Sequence, residues 1–298
     1  MAVINFGSIN IDHVYQVEHF VQPGETLSSN HYQQLLGGKG ANQSIALAKA
    51  GSDVRHVGKI HEHDAHFKQA MIKQGVDCKF VQCSDTPTGH AIIQVAQNGE
   101  NAIVLFGGAN REIDNKDILR ALDDAAATDW VLTQNETSGI EEVLKQAKEK
   151  GLKVAFNPAP MTESVKQLPH DCIDLLIVNE VEASEIAGVT DIDEIENYFR
   201  RDWPHAEVLI TLGKHGVRML LAEETVDVPA FVVETVDTTA AGDTFIGYFL
   251  SAYSKRQKAR DALTRACAAS AIAVTRCGAA QSIPNADEVD HFLSQNHQ

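Results

Sequence analysis

The sequence predicts an α/β fold: a three-layer α/β/α body with a mostly parallel central sheet, carrying a small β-sheet as a lid. Three observations lead there. From residue 108 onward, strand-length apolar runs alternate with helix-length amphipathic stretches, the rhythm of a parallel sheet covered by helices on both faces. Before that point, short segments within 10–36 and 79–106 mix polar and apolar residues and read as strands exposed on one side, a smaller sheet inserted at two places. Glycines stand where strands give way to helices and where helices stop.

In chain order, Ala2–Phe6 is a short apolar run stopped by Gly7, a buried strand. His13–Val17 and Tyr32–Leu36 are shorter and partly alternating, with turn chemistry in QPGET (Gln22–Thr26) between them. In GGKGANQSIALAKAG, glycines lead into a strong helix former, Ala41–Ala50, closed by Gly51. Val54–Ile60 reads as a strand and Asp64–Gln74 as a helix ended by Gly75. Val76–Gln82, Gly89–Gln97 and Asn101–Phe106 are strand-like, the last two joined by the hairpin turn QNGEN. The alternation then sets in. Helix Asn115–Ala127 precedes strand Trp130–Thr133, and helix Ile140–Lys150 precedes strand Lys153–Phe156. Strand Leu175–Val178 precedes helix Glu182–Ala187, and helix Ile192–Arg201 precedes strand Glu207–Leu212. Arg218–Leu221 and Thr225–Val228 form a short hairpin, followed by helices Ala241–Tyr253, Ala259–Thr275 and one near Ala286–Ser294. With no internal repeat or low-complexity linker, residues 1–298 form one domain, its lid built from about 10–36 and 79–106. A small sheet tied to the body at two points is placed to close over a ligand.

Composition narrows the function. A chain of 298 residues buries a sizeable core. Its formal charge of −16 repels nucleic acid and anionic membranes, so neither is expected as a partner. The densest basic stretch, SKRQKAR (Ser254–Arg260), reads as a solvated turn between helices. Five cysteines without a CxxC pair argue against a disulfide framework and for a reducing, cytoplasmic setting. The N-terminus lacks a basic segment followed by an apolar run, so no signal peptide is expected. No window approaches about 18 apolar residues, so no membrane span is expected either.

The common nucleotide motifs fail: neither Gly38-Lys39 nor Gly213-Lys214 completes a Walker loop, and GSINID stands where a dinucleotide fingerprint would follow the first strand. HEHDAH holds His61, His63 and His66, but Ala65 occupies the position a metalloprotease helix needs, so it reads as a polar loop opening a helix. Three pieces carry chemistry. GGKGAN lets backbone N–H groups approach a ligand, with charge from Lys39 and a hydrogen-bonding amide from Asn42. GSINID sets Asn10 and Asp12 at the first strand's exit, an amide and a carboxylate suited to vicinal hydroxyls or simply to a turn. DTTAAGD puts small residues at a helix N-terminus, a ready anion hole, with Asp243 either a first-turn acid or an ionised base taking a hydroxyl proton during attack on phosphorus.

Taken together, GSINIDH, PGETLSSNHYQQLLGGKGANQ, TPTG, GAN, NPAP, ITLGKHGV, VDTTAAGDTF and AIAVTRCGAAQSIP resemble the ribokinase (phosphofructokinase-B type) family of sugar and nucleoside kinases over nearly the whole length. The combination stands nearer to bacterial ribokinases than to fructokinases or adenosine kinases. The resemblance implies a ribokinase-like fold and ATP-dependent phosphorylation of D-ribose at its 5-hydroxyl. Deoxyribose, another pentose, a ketohexose or a nucleoside are the alternative substrates, and a non-catalytic sugar-binding regulator is the alternative of another class. It further implies that Asn10, Asp12, Gly38, Lys39, Asn42 and Glu136 hold the sugar, that Asp243 is the base, and that the N–H groups of Ala240, Ala241 and Gly242 stabilise the transferring phosphoryl. Asn179 and Glu182 would act on phosphate and Mg²⁺, while Thr211, Gly213, Gly216 and Cys267 would line the nucleotide. A K⁺ loop maps to Asp237, Thr239, Ala273, Arg276, Gly278 and Ser282, and the lid implies a homodimer. Departures from the family pattern are His61 for a glycine, Val178 for a proline, Tyr248 for a small residue, Cys267 for Asn or His, and Cys277 in the cation loop.

Overall fold

A computed structural model describes residues 1–296, so the last two residues of the 1–298 span lie outside the described residues. The chain runs β1 (Ala2–Phe6), β2 (Asn10–Gln16), β3 (His31–Gly37), α1 (Lys39–Lys49), β4 (Asp53–His61), α2 (Ala65–Lys73), β5 (Asp77–Ser84), β6 (Gly89–Val95) and β7 (Asn101–Phe106). It continues through α3 (Asn115–Asp123), β8 (Trp130–Gln134), α4 (Ile140–Glu149), β9 (Lys153–Asn157), β10 (Leu175–Asn179), α5 (Glu180–Ala187), α6 (Ile192–Asp202) and β11 (Glu207–Thr211). It ends with β12 (Val217–Leu220), β13 (Thr225–Val228), α7 (Ala241–Tyr253), α8 (Ala259–Val274) and α9 (Ala286–Gln295).

Among the described residues nine strands form the central sheet in the order β13-β12-β11-β10-β9-β8-β1-β4-β5, parallel from β11 through β5, with β12 and β13 added antiparallel at one edge. Its strands bury both faces, so successive residues enter opposite cores. Val3, Leu132 and Ile177 pack with α1, α7 and α8 through Ile45, Phe249 and Leu263. Ile4, Val131 and Leu176 pack with α3, α4 and α6 through Ile118, Leu144 and Phe199. Among the described residues no helix is long and apolar enough to cross a membrane.

The small sheet has the order β3-β2-β6-β7, antiparallel except for the β2–β6 pair. Two expectations change here. The second lid segment begins at Gly89, not at Lys79, because β5 joins the central sheet beside β4. Cys78, Phe80 and Val81 are buried against the body, which a strand exposed on one side could not achieve. Asn10 and Asp12 also lie within a strand rather than on an exit turn, two residues apart in β2 and therefore on one face.

Helix ends follow local caps. α5 starts before the expected Glu182 because Asn179 and Glu182 form a reciprocal capping box, Glu182 N–H to Asn179 Oδ1 at 2.8 Å and Asn179 N–H to Glu182 Oε2 at 3.0 Å. α3 stops at Asp123, short of the expected Ala127, because buried Asp129 accepts the Ala126 N–H at 3.0 Å and the Ala2 N–H at 2.7 Å, folding the alanines into a turn.

Candidate active site

The strand order places the site. β1 is followed by β4 and β5 on one side, while β8 to β11 extend the other side, so the order reverses at β1 and opens a crevice beyond the carboxyl ends of the strands. The residues that leave those ends are Gly7 and Ser8 after β1, Asn135 and Glu136 after β8, Asn179 at the end of β10 and Thr211 at the end of β11.

On the side expected to hold a sugar, Asn110 sets Asn10: its Oδ1 accepts the Ile9 N–H at 2.9 Å and its Nδ2 donates to Asn10 Oδ1 at 2.8 Å. That turns the Asn10 amide nitrogen outward as a donor. Asp12 sits against Gly37, where a Cβ would lie 2.1 Å from its carboxylate. Burial, with the nearby Glu136 carboxylate adding to it, pushes the Asp12 pKa up to about 6. Glu136 itself accepts the Lys39 backbone N–H at 3.1 Å and the Ser8 hydroxyl. It therefore anchors the positive end of α1, as a carboxylate at a helix N-terminus does. Gly38 enters α1 at φ +91°, where a side chain would also crowd the Ser8 and Asn10 backbone. Burial acts to lower the Lys39 pKa, but Asp243, Glu136 and Glu182 outweigh it and hold the ammonium above its ordinary value.

Asp243, in the first turn of α7, is 7% exposed and accepts from Asn42 Nδ2 at 3.0 Å and Gln43 Nε2 at 2.9 Å. Burial raises its pKa above the ordinary carboxylate range against the pull of Lys39 and these two amides. The reading that a helix N-terminus simply keeps this acid ionised leaves out that desolvation. Asn42 Oδ1 is a buried acceptor without a protein partner. The first α-helical bond of α7 is Thr244 N–H to Ala240 O at 2.9 Å, so the N–H groups of Gly242 and Asp243 precede it, free of intrahelical partners. The Ala241 N–H is taken by the Thr238 carbonyl at 3.1 Å. Of the N–H groups of Ala240, Ala241 and Gly242 expected to form an anion hole, that of Ala241 is thus occupied, and the Asp243 N–H joins those clear of the helix.

Two cavities meet at α7. One of about 130 Å³ is bounded by Lys39, Asn179, Glu182, Thr211, Thr239, Gly242 and Asp243. The other, about 630 Å³, is bounded by Thr211, Gly213, Gly216, Phe231, Gly242, Cys267 and Val274 among others. Thr211 and Gly242 line both, so a ligand in the larger space can reach Asp243. Gly216 adopts φ +101°, and a Cβ there would meet the Val228 carbonyl at 2.1 Å. Burial pushes the Cys267 thiol up to about 12, so it faces the cavity uncharged.

The expected cation loop folds together in part. Asp237 accepts the Thr239 N–H and the Gly278 N–H, each at 2.9 Å, which joins the loop before α7 to the loop after α8. The Ala273 carbonyl accepts the Arg276 N–H at 3.1 Å, the Arg276 side chain pairs with Glu288, and Ser282 Oγ donates to the Ala279 carbonyl at 2.8 Å. The three histidines run from the end of β4 through a 3₁₀ turn into the start of α2, with His61 Nδ1 accepting the His63 N–H at 3.2 Å, and the described residues hold no group of three side chains set to bind a metal. Tyr248 is fully buried, its hydroxyl donating to the Pro284 carbonyl at 2.8 Å.

Several polar residues of the site are given no role by the sequence, although Ser8, Gln43, Asn110 and Asn157 stand within GSINIDH, GGKGANQ, GAN and NPAP. Ser8, Gln43, Asn110, Gln134 and Asn157 are all buried behind the named ligands. A hint of buried partners is the run Asn42-Gln43-Ser44 inside an otherwise apolar helix start, where polar side chains must find them.

Comparison with known proteins agrees with this geometry. The sequence profile of the pfkB family carbohydrate kinases matches residues 2–286. The ribokinase of Haemophilus influenzae is 38% identical over 96% of this chain and 96% of its own. A deoxyribokinase of Salmonella typhi is 30% identical over 99% of this chain and all of its own (100%). The structure of Arabidopsis thaliana ribokinase complexed with ribose and ATP superimposes with a TM-score of 0.89 at 30% identity, covering 98% of this chain and 99% of that one.

Proposed function

The chain belongs to the pfkB family of carbohydrate kinases, and from that premise we propose that it transfers the γ-phosphoryl of ATP to the 5-hydroxyl of D-ribose. The observation that carries this reading is Asp243, buried in the wall of the smaller cavity next to Gly242, which lines both cavities, with Lys39 and Asn42 on one side and the N-terminus of α7 on the other. The carboxylate takes the hydroxyl proton, the freed oxygen attacks phosphorus in line, and the bond to the leaving ADP oxygen breaks. A carboxylate raised by burial is the stronger base at neutral pH. Charge growing on the phosphoryl oxygens faces the Gly242 and Asp243 N–H groups and the positive end of the helix. The unpaired Asn42 Oδ1 and the outward Asn10 amide offer an acceptor and a donor to sugar hydroxyls. The larger cavity suits a nucleoside, with apolar Phe231 and Val274 beside its base.

A panel of D-ribose, 2-deoxy-D-ribose, D-fructose and nucleosides with ATP tests the assignment. Ribose is expected to give the highest kcat/KM. If another acceptor is turned over while ribose is not, the substrate is wrong although the family stands.

Glu182 keeps one carboxylate oxygen clear of its capping bond and faces Lys39 in the smaller cavity, a hard oxygen donor that fits Mg²⁺ carried by the nucleotide. Mg²⁺ would neutralise phosphate charge there. The 237–239 and 273–282 segments supply carboxylate, hydroxyl and carbonyl oxygens, which fit K⁺ and would order the start of α7. Exchanging K⁺ for Na⁺ at constant ionic strength is expected to lower kcat severalfold, and equal rates in both salts would remove the loop from the mechanism.

The lid sheet, proposed to close over the sugar and exclude water, exposes Ile92, Ile103, Val104, Leu105 and Phe106. Ile92, Val104 and Phe106 share one face and Ile103 and Leu105 the other, and an apolar edge of this kind fits a second copy of the chain. A homodimer is expected by analytical ultracentrifugation, with Val104→Glu shifting it to monomer. A monomeric parent at micromolar concentration would refute the dimer. A cytoplasmic location fits the free cysteines.

A further inference from the structure

Gln43 touches Asp243 with its amide nitrogen, and the direction of that amide matters. Turned over, it would present its carbonyl to a carboxylate. What fixes the direction lies behind it. Gln43 Oε1 accepts from Gln134 Nε2 at 2.8 Å, and the same nitrogen donates to Asn5 Oδ1 at 2.9 Å. Asn5 Nδ2 in turn donates to the Gly40 carbonyl at 2.9 Å. A backbone carbonyl only accepts, so Gly40 orients Asn5, Asn5 orients Gln134, and Gln134 orients Gln43. A second anchor agrees: Asn157 Nδ2 donates to the Ile177 carbonyl at 2.9 Å, which turns Asn157 Oδ1 toward Gln43 Nε2 at 3.4 Å. Asn5, Gln43 and Gln134 are all 0% exposed.

We propose that Asn5, Gln134 and Gln43 form a directional relay of amides, anchored on the Gly40 carbonyl, that holds a hydrogen-bond donor against Asp243 and so makes Gln43 and Gln134 positioning residues for phosphoryl transfer. The inference rests on Asp243 being the base. Stability alone does not account for the relay, because Gln134 Oε1 is left buried without a partner, a cost that apolar side chains would avoid. The charged groups facing Asp243 are Lys39 from α1 and Glu136 from the loop after β8, and neither belongs to the relay.

Gln43→Met, Gln134→Met, the double variant and Asp243→Asn, each compared by pH profiles, decide the matter. Loss of the donated hydrogen bond raises the base's pKa, so the acidic limb of kcat/KM moves to higher pH by about one unit. At neutral pH kcat falls about tenfold, with KM for the sugar little changed. The double variant is no worse than the poorer single one, and Gln43→Met adds nothing in the Asp243→Asn background, as for groups acting through one contact. An unmoved acidic limb, or additive losses, in folded variants overturns the relay while leaving the base in place. Near-normal turnover in Asp243→Asn overturns both. Where a methionine variant does not fold, the native enzyme decides. The Gln43 side-chain NH₂ resonances should titrate with the midpoint of the acidic limb, and resonances that stay flat across it overturn the proposal.

Discussion

Replacing Asp243 by asparagine is expected to lower kcat by roughly 10²–10⁴ while the sugar still binds. The substitution keeps size and hydrogen bonding but removes the group that accepts the hydroxyl proton. Asn42 and Gln43 would still meet an oxygen at that position, so the local packing survives. Lys39 would lose one of the three carboxylates that hold it charged, with Glu136 and Glu182 remaining. KM for the sugar should therefore move little, and the loss should appear equally in kcat and kcat/KM, the mark of an interaction made in the transition state. Isothermal titration with the sugar and steady-state kinetics separate the two. If turnover stays within a few-fold of the parent, Asp243 is a helix-start acid and not the base. If binding vanishes together with turnover, the carboxylate serves the ground state instead.

The fold was largely legible because the chain punctuates itself. Gly7, Gly51, Gly75 and Gly188 stop their elements, and the β–α alternation after Gly107 announces a parallel sheet. What the pattern could not assign was which sheet a strand joins. Residues 79–82 alternate much as lid strands do, and only pairing with β4 reveals them as part of the body. In the site, the legible residues were those whose type is unusual for their place: an aspartate among small residues at a helix start, and a lysine between glycines. Their supporting amides were not legible. Gln43 and Gln134 are 91 residues apart in sequence, and although the polar run at 42–44 calls for buried partners, nothing local marks Gln134 as one of them. Glu136 shows the same limit in another form. Resemblance implied that it holds the sugar, and nothing local told that its Oε2 also accepts the Lys39 N–H and the Ser8 hydroxyl, bonds that leave Oε1 out.

Gly40→Ala is expected to destabilise the protein by about 3 kcal/mol, the upper part of the overpacking range. Intrinsic helix propensity argues the opposite, since alanine in place of glycine within a helix gains about 1 kcal/mol. Sterics decide the sign. A Cβ on Gly40 would lie 2.3 Å from the Ser8 nitrogen and 2.4 Å from both Cα and C of Gly7, all backbone atoms with no rotamer to yield. Relief requires α1 to move away from the end of β1. Three hydrogen bonds resist that movement: Ala41 N–H to the Ser8 carbonyl at 2.9 Å, Gly40 N–H to Ser8 Oγ at 3.2 Å, and Asn5 Nδ2 to the Gly40 carbonyl at 2.9 Å. The same helix carries Lys39, Asn42 and Gln43, so a displaced start misaligns the groups that face Asp243. Activity should fall more than the folded fraction does, because positioning fails before the fold is lost. Gly242→Ala is the control for stability. It makes the same change in the first turn of α7, with no atom within 4 Å of the added Cβ. Thermal unfolding should place Gly40→Ala roughly 5–10 °C below the parent and Gly242→Ala at or above it. A Gly40→Ala protein that melts with the parent would mean that the close approach of α1 to β1 is not what holds this side of the site.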